Sequence, residues 1–276
     1  MTTTWWIDGT LVADAQATVR ADDHGLVVGD GVFETMKVTD GRAWALDRHL
    51  ARLRGSAGGL GLDIGYDDDS LRAAVSEALV ASGLRQARVR LTVTGGPGSL
   101  GSWRVEGGRA SVLVAVTPLG ERAPSATVAI VPWTRNEHGA TAGLKTTSYA
   151  DNVVALAFAR ERDADEAIFA NTAGMLCEGT GSNVFVVLAD GTCATPPLSA
   201  GCLAGVTRAL VLEAGAAVER NVTMAEFTGA GEAFLTSTTR DVQPIAAIDG
   251  RVLPVLGGSA TAAAARAFAA RVADER

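Results

Sequence analysis

The stretch Leu176-Cys-Glu-Gly-Thr-Gly-Ser-Asn-Val-Phe185 places a single carboxylate, Glu178, between apolar residues and a glycine-rich turn. A carboxylate in this position can accept a hydrogen bond from a protonated ring nitrogen, or it can cap the backbone amides of the turn. Taken alone, the stretch leaves both interpretations of Glu178 open.

An earlier stretch, Gly143-Leu-Lys-Thr-Thr-Ser-Tyr-Ala-Asp-Asn152, places Lys145 ahead of three hydroxyl residues and Tyr149. The chain has only two lysines, Lys37 and Lys145. Arginine stays protonated, whereas a partly desolvated lysine can lose its proton and act as a nucleophile. Lys145 is therefore a candidate nucleophile. The alternative is a surface lysine in a loop that precedes a helix.

Two later stretches contain groups that suit an anion. Gly201-Cys-Leu-Ala-Gly-Val-Thr-Arg208 leads small residues into a predicted helix, whose first amides and dipole favour a phosphate. Phe234-Leu-Thr-Ser-Thr-Thr-Arg-Asp241 ends an apolar strand in four hydroxyl residues, which are further donors. Each stretch alone is also typical of an ordinary helix start or a polar strand end.

Three arginines are candidates for binding anions. Arg52 lies between Leu50 and Leu53 on a predicted helix, and a partly buried arginine needs an anionic partner. The alternative for Arg52 is an exposed amphipathic helix. Arg88 and Arg90 share one face of a predicted strand that leads to a glycine-rich loop, which suits a substrate carboxylate. The alternative for this pair is two solvated charges on a strand.

Read in order, these motifs resemble the class IV, or fold type IV, pyridoxal-phosphate family. The resemblance covers nearly the whole chain, from about Trp5 to Gly250. The matching motifs are Asp30-Gly31-Val-Phe-Glu-Thr, His49-x-x-Arg52-Leu, Leu144-Lys145-Thr, Glu178-Gly-x-x-Ser-Asn-Val-Phe, Gly205-Val-Thr-Arg and Thr236-Ser-Thr-Thr.

The resemblance implies pyridoxal 5'-phosphate as cofactor and a role for each matching residue. Lys145 would form the Schiff base and move the substrate proton, and Glu178 would hold the protonated pyridine nitrogen. These two are the expected catalytic residues. The relatives with branched-chain substrates have a tyrosine five residues after the lysine, whereas Tyr149 stands four after it. The expected cofactor-binding residues are Arg52, Lys145, Tyr149, Glu178, Val206, Thr207 and Thr238.

Within the family, the strand Phe33-Glu-Thr-Met-Lys37 resembles that of the D-amino-acid transaminases and lacks the branched-chain signature. The D-amino-acid enzymes bind the substrate carboxylate with an Arg-x-His, but the corresponding loop here has Arg104-Val-Glu106. Carboxylate binding must therefore differ. The expected substrate-binding residues are Phe33, Thr35, Arg88, Arg90 and Thr239.

The sequence therefore favours a transaminase that acts on D-amino acids, or small (R)-amines, and on 2-oxo acids. The alternative is 4-amino-4-deoxychorismate lyase, which releases pyruvate and 4-aminobenzoate. Thr35 and a basic residue near the position of Arg90 match that enzyme as well.

Composition restricts the other possibilities. The chain has 276 residues, of which 47% are hydrophobic and 20% charged, a globular balance. The net charge of −7 disfavours a nucleic-acid or anionic-membrane surface, and no apolar run is long enough to span a membrane. Three cysteines without a C-x-x-C spacing indicate reduced thiols and a cytoplasmic location. Three widely separated histidines give no reason to expect a metal site.

The mixture of strands and helices predicts an α+β protein in two subdomains. We expect a small N-terminal domain at 1–118, a linker at 119–125 and a larger domain at 126–276. The resemblance implies that the larger domain is barrel-like with helices, and that the cofactor binds at the interface of the two domains. It also implies a homodimer.

Overall fold

The computed structural model describes residues 3–274. The chain divides into two compact units: residues 3–121 with Leu144–Tyr149, and Arg122–Gly143 with residues 150–274. The sequence assigns Leu144–Tyr149 to 126–276, but the structure groups it with the first unit. The reason is strand-like pairing with the strand that begins at Gly31. The amide of Phe33 donates to the carbonyl of Lys145 at 3.0 Å, and that of Thr147 to Gly31 at 2.8 Å.

The first unit is a six-stranded antiparallel sheet covered by helices. The strands lie in the order β2-β1-β6-β5-β3-β4, and helices α2 and α3 pack against β3, β1 and β6. In chain order the elements are β1 (Thr4–Ile7), β2 (Thr10–Val12), α1 (His24–Val27), β3 (Gly31–Thr39), β4 (Arg42–Ala43), α2 (Leu46–Gly59), α3 (Asp68–Ser82), β5 (Ala87–Thr94) and β6 (Ser111–Pro118).

Strict alternation along β5 determines which sheet face is buried. Val89, Leu91 and Val93 have no exposed surface and join the core under the helices. Arg88 and Arg90 project from the opposite face and are exposed. The predicted assignment of the two faces is therefore confirmed.

Helix α2 begins earlier than the sequence indicates. The sequence predicts that Asp47 caps this helix, but the N-cap is Ala45, whose φ of 50° turns the chain directly from the hairpin into the helix. Asp47 lies in the first turn instead, where a carboxylate is favourable beside the positive end of the helix dipole. It also accepts hydrogen bonds from Arg72 at 2.9 and 3.0 Å.

The second unit is a nine-stranded mixed sheet with helices. The main path runs β12-β11-β10-β13-β14-β7-β8-β9, and β15 pairs with β14. Strand β9 at one end also packs against β10, so the sheet curls into a half-barrel. The elements are β7 (Ala126–Arg135), α4 (Ala150–Arg160), β8 (Glu166–Asn171), β9 (Leu176–Gly179), β10 (Asn183–Val187), β11 (Cys193–Thr195), α5 (Val206–Glu213), β12 (Val218–Glu219), α6 (Met224–Gly229), β13 (Glu232–Ser237), β14 (Asp241–Ile248), β15 (Arg251–Val252) and α7 (Ser259–Asp274).

The sequence predicts a helix at Asn152–Arg162 in this unit. Helix α4 begins at Ala150 and ends at Arg160, two residues earlier at each end. Glu178 does not lie in a turn: it lies on the short strand β9, directly across from Phe169 on β8. Within residues 3–274, no helix is both long and apolar enough to cross a membrane.

Candidate active site

In the first unit, Lys145 lies beside two aromatic rings. Its backbone amide donates to Ser56 Oγ on α2 at 3.1 Å, which holds the segment against the helix. The Nζ atom is 3.5 Å from the Tyr149 hydroxyl and 4.3 Å from the centroid of the Phe33 ring. The rings of Phe33 and Tyr149 meet edge to face with centroids 5.1 Å apart. The lysine amine is therefore confined between apolar walls, with one hydroxyl near it.

Arg90 lies against the same Phe33 ring. Its guanidinium carbon is 3.7 Å from the ring centroid, so Arg90 and the Lys145 amine are both in cation–π contact with one side chain. Cross-strand pairing explains this, because Phe33 and Thr35 on β3 stand opposite Thr92 and Arg90 on β5. Arg90 remains exposed, and Thr92 Oγ1, at 3.3 Å from Nε, is its hydrogen-bond acceptor. No carboxylate of the described chain pairs with it.

Arg88 occupies a different position. It stands opposite Lys37 on β3, two residues further along the strand from Arg90. Of the two arginines, only Arg90 is brought to the ring that Lys145 contacts.

On the other face of β3, Glu34 forms a buried ion network with α2. It has no exposed surface. Arg52 donates to it through Nε and Nη2, both at 2.7 Å, and His49 Nδ1 lies 2.7 Å from Oε2. Burial alone would raise the pKa of Glu34, but Arg52 and His49 outweigh it and lower that pKa to about 2. Burial also lowers the pKa of His49, against the effect of Glu34.

Sequence reasoning expected an anion beside Arg52 and did not identify Glu34 as that anion. The available signal was one ionisable residue within the apolar run Val32-Phe-Glu-Thr-Met36. A role for Arg52 with the cofactor phosphate stays a prediction.

Arg104, in the loop after β5, is hydrogen-bonded to other residues of the first unit. Its Nε and Nη2 donate to the two oxygens of Asp30 at 2.7 and 2.6 Å, and Nη1 and Nη2 donate to the carbonyls of Gly61 and Leu60. The Asp30 pairing raises the pKa of Arg104. Arg104 anchors its loop, and Arg90 is the arginine near Lys145 that has no carboxylate partner in the described chain.

In the second unit, Glu178 is held from two sides. Its Oε2 accepts a hydrogen bond from the amide of Leu203 at 2.9 Å, and its Oε1 lies 3.5 Å from Arg135 Nε. The Leu203 contact brings Glu178 to the loop that leads into α5. Arg135 was not among the residues predicted from the sequence.

The start of α5 is built around Asn183. The Asn183 Nδ2 donates to the carbonyl of Leu203 at 2.9 Å. Gly205, the N-cap residue, comes so close that a Cβ there would lie 2.0 Å from Asn183 Oδ1, and no side chain caps the helix. Thr207, the second residue of α5, is 1% exposed. Its Oγ1 is buried without a hydrogen-bond partner in the described chain.

A second unpaired hydroxyl lies across the sheet from Asn183. Thr236 on β13 is its cross-strand partner, and the Thr236 Oγ1 is also buried without a hydrogen-bond partner in residues 3–274. Thr238 and Thr239 follow in the turn between β13 and β14 and are partly buried. The two unsatisfied hydroxyls and the uncapped helix start are each donors that suit an anion.

Comparison with known proteins identifies the chain. The family model for amino-transferase class IV matches residues 31–248. The chain is a class IV aminotransferase. It is 32% identical over 263 residues to the branched-chain-amino-acid aminotransferase of Pseudomonas aeruginosa, which covers 89% of this chain and 85% of that one. It is 30% identical over 258 residues to the D-alanine aminotransferase of Bacillus licheniformis, covering 89% and 88%.

Among solved structures, the chain resembles the branched-chain aminotransferase of the archaeon Thermoproteus uzoniensis with norvaline. The TM-score is 0.90 at 32% identity, and the match covers 100% of this chain and 96% of that one. The expected fold type IV architecture is thereby confirmed.

Class IV aminotransferases use pyridoxal phosphate, and the residues of this aminotransferase fit that group. The phosphate requires several donors, and the amides of Val206 and Thr207 at the start of α5 are not capped by a side chain, with the unpaired Thr207 hydroxyl on the same turn. The pyridine nitrogen requires an acceptor, and Glu178 is a carboxylate with a fixed orientation. The aldehyde requires an amine, and Lys145 is one of only two lysines in the chain.

Proposed function

We propose that this class IV aminotransferase transfers amino groups between D-amino acids and 2-oxo acids, with small (R)-amines as further donors. The observation that carries the proposal is the position of Arg90 beside Lys145, with both in contact with the Phe33 ring. An exposed guanidinium without a carboxylate partner in the described chain, next to the reactive amine, suits an α-carboxylate. The likeness to a D-alanine aminotransferase adds support.

Lys145 is the proposed catalytic base and the residue that carries the cofactor. When bound, pyridoxal phosphate supplies an electron sink that stabilises negative charge developing at the substrate Cα. The Lys145 amine would accept the proton that leaves the substrate Cα, and the protonated amine would hold that proton for return later in the reaction. Tyr149, whose hydroxyl lies 3.5 Å from Nζ, orients the amine, and Phe33 shields it from water.

Residues from several elements are proposed to hold the cofactor. Glu178 would accept a hydrogen bond from the protonated pyridine nitrogen, and Tyr149 and Lys145 would bind near the aldehyde end. The phosphate is bound by the amides of Val206 and Thr207, by the hydroxyls of Thr207 and Thr238, and by Arg52 with its charge balanced by Glu34.

For the substrate, we propose that Arg90 binds the α-carboxylate and that Thr35, its cross-strand neighbour, contributes a hydroxyl. Phe33 forms an apolar wall. Thr239 is proposed to contact the substrate from the β13–β14 turn. Arg88 contributes positive charge from a greater distance.

A second candidate is transamination of branched-chain L-amino acids. The observation in its favour is likeness to proteins named branched-chain-amino-acid aminotransferases, at 32% identity in P. aeruginosa and in the T. uzoniensis structure. The apolar Phe33 and Tyr149 rings also suit a branched side chain.

The test is a comparison of amino donors with the purified holoenzyme. D-Alanine, D-glutamate, L-leucine, L-valine and an (R)-amine are each supplied with 2-oxoglutarate or pyruvate, and the new amino acid is quantified and its chirality determined. Faster turnover of D-amino acids supports the first proposal. Faster turnover of L-leucine overturns it in favour of the second. Pyruvate release from aminodeoxychorismate without an oxo-acid acceptor would favour the lyase activity.

We also propose a homodimer located in the cytoplasm, as the resemblance implies. Analytical ultracentrifugation of the holoenzyme is expected to give twice the chain mass, and a monomer mass would contradict this. The three cysteines are buried and unpaired, which agrees with a reducing compartment.

A further inference from the structure

We propose that Arg135 is a positioning residue for Glu178, which it holds in the ionised form so that a shared proton rests on the pyridine nitrogen of the cofactor. This inference rests on the proposed role of Glu178 as the partner of that nitrogen. Arg135 contacts the Glu178 carboxylate and is proposed to act on the cofactor only through it.

Three neighbouring strands each contribute one side chain to this arrangement. Arg135 is the last residue of β7, Phe169 lies on β8, and Glu178 lies on β9. Phe169 is the cross-strand partner of Glu178 and is 2% exposed. The guanidinium carbon of Arg135 lies 4.3 Å from the Phe169 ring centroid. The Arg135 guanidinium therefore packs against the Phe169 ring, next to the Glu178 carboxylate.

The contact between Arg135 and Glu178 is an ion pair that stops short of a hydrogen bond. The Nε–Oε1 distance is 3.5 Å, and Nε is buried with no hydrogen-bond acceptor in the described chain. The side chains of Arg135 and Glu178 are 23% and 13% exposed. A buried donor without an acceptor is costly to stability, since buried polar groups are normally paired.

The two oxygens of Glu178 have different partners. Oε2 accepts from the Leu203 amide at 2.9 Å, and Oε1 faces Arg135. An ionised carboxylate has about four acceptor positions, so a third donor can still bind. The Leu203 amide and Arg135 contact different oxygens, and both restrict the orientation of the carboxylate.

The charge on Arg135 determines where a shared proton rests. A nearby cation favours the ionised form of a carboxyl group. When a carboxylate and a pyridine nitrogen share one proton, stabilising the anion moves the proton to the nitrogen. Without Arg135, Glu178 would hold the proton more strongly, and the ring would withdraw electrons less effectively.

The experiment measures the protonation of the cofactor nitrogen directly. Wild type, R135M, R135Q and R135K are loaded with cofactor labelled with ¹⁵N in the ring, and the nitrogen chemical shift is recorded at one fixed pH. We expect the shift of a protonated nitrogen in wild type, a move toward the unprotonated shift in R135M and R135Q, and partial restoration in R135K. We also expect kcat to fall about tenfold with KM nearly unchanged, as for loss of a charged contact.

The matched control is R162M. Arg162 also stacks on a ring, 3.4 Å from the Phe158 centroid, but its side chain is 49% exposed and it pairs with Glu161. R162M is expected to keep the wild-type nitrogen shift. If R135M does not fold, as judged by thermal unfolding, R135Q carries the test, because it removes the charge and keeps a polar side chain.

E178Q distinguishes a failure of the proposed role of Glu178 from a failure of the inference about Arg135. If E178Q keeps the wild-type nitrogen shift, the proposed role of Glu178 fails, and the inference about Arg135 fails with it. If E178Q changes the shift but R135M and R135Q do not, only the role of Arg135 is overturned.

Discussion

Arg52 and Glu34 form a two-point ion pair inside the first unit, with both nitrogen–oxygen distances at 2.7 Å and no exposed surface on the carboxylate. The pair joins α2 to β3. Removing one partner of a buried pair leaves the other charged and unpaired, which costs far more than losing a surface pair. The ion pair with Glu34 therefore fixes the position of the Arg52 guanidinium, with or without a bound phosphate.

Glu34→Gln is therefore expected to destabilise the protein by about 3–5 kcal/mol at pH 7. Urea unfolding of the apoprotein measures this. The control is Asp40→Asn, which removes an exposed partner of Arg85 and should cost no more than about 1 kcal/mol. Equal effects of the two substitutions would contradict the buried-pair interpretation.

The same carboxylate predicts a pH dependence. The pKa of Glu34 is lowered from 4.5 to about 2 on folding, so between these values the unfolded chain binds more protons than the folded one. The contribution of Glu34 is complete well above pH 4.5 and is lost as the pH falls toward 2. The stability difference between wild type and Glu34→Gln should shrink by about 2 kcal/mol between pH 7 and pH 3. A difference that is constant over this range would show that the carboxylate is not the cause.

The two lysines provide a direct test of cofactor attachment. Borohydride reduction of the holoenzyme followed by peptide mass spectrometry should locate the cofactor on Lys145. Lys145→Ala should lose the visible absorbance of the attached cofactor, and turnover should fall by at least about 10²–10⁴-fold, as for removal of a general base. Lys37→Ala should keep the attachment. Cofactor found on Lys37 would overturn the proposed site.

The Thr207 hydroxyl, buried without a hydrogen-bond partner in the described chain, predicts that Thr207→Val does not destabilise the apoprotein but weakens cofactor binding. Thr207→Val removes a buried group that has no hydrogen-bond partner in the described chain, so the apoprotein should be as stable as wild type or about 1 kcal/mol more stable. Cofactor affinity should fall about tenfold, because a phosphate donor is lost.

The control for that substitution is Thr195→Val. Thr195 is also 1% exposed, but its hydroxyl donates to the carbonyl of Val184 at 2.8 Å. Its loss should destabilise the apoprotein by about 1–3 kcal/mol and leave cofactor affinity unchanged. If Thr207→Val also destabilises the apoprotein and leaves cofactor affinity unchanged, the Thr207 hydroxyl bonds to another protein group and does not bind the cofactor.

Arg90 is expected to discriminate substrates by their carboxylate. Arg90→Met should lower kcat/KM for D-alanine about 10- to 100-fold, the range for losing a charged hydrogen bond. Turnover of an (R)-amine without a carboxylate should change much less. Arg88→Met should have a smaller effect, and Arg85→Met, which removes an exposed partner of Asp40, should have none. Equal losses for the amino acid and the amine would argue against carboxylate binding.

Local sequence patterns determined several strands and helices of this protein and the family to which it belongs. The alternation of Arg88–Thr94 identified a half-buried strand and its polar face, because successive side chains of a strand point to opposite sides. The apolar spacing predicts a helix at Asp68–Ser82, and α3 has these bounds, since Asp67 caps its first turn and Gly83, at φ 64°, ends it. Motif order along the chain was enough to identify the family and its cofactor.

Pairings between distant residues were decided only by the tertiary structure. Glu34 and Arg52 stand on different elements, and nothing local shows that a strand carboxylate will meet a helix guanidinium. Arg90 and Arg88 are equivalent in the pattern, and the register of β5 against β3 places Arg90 over Phe33. Arg135 and Glu178 meet because β8 holds Phe169 between their strands. Residue type and spacing set which chemistry is available. Side-chain partners depend on strand register and packing, which involve the whole chain.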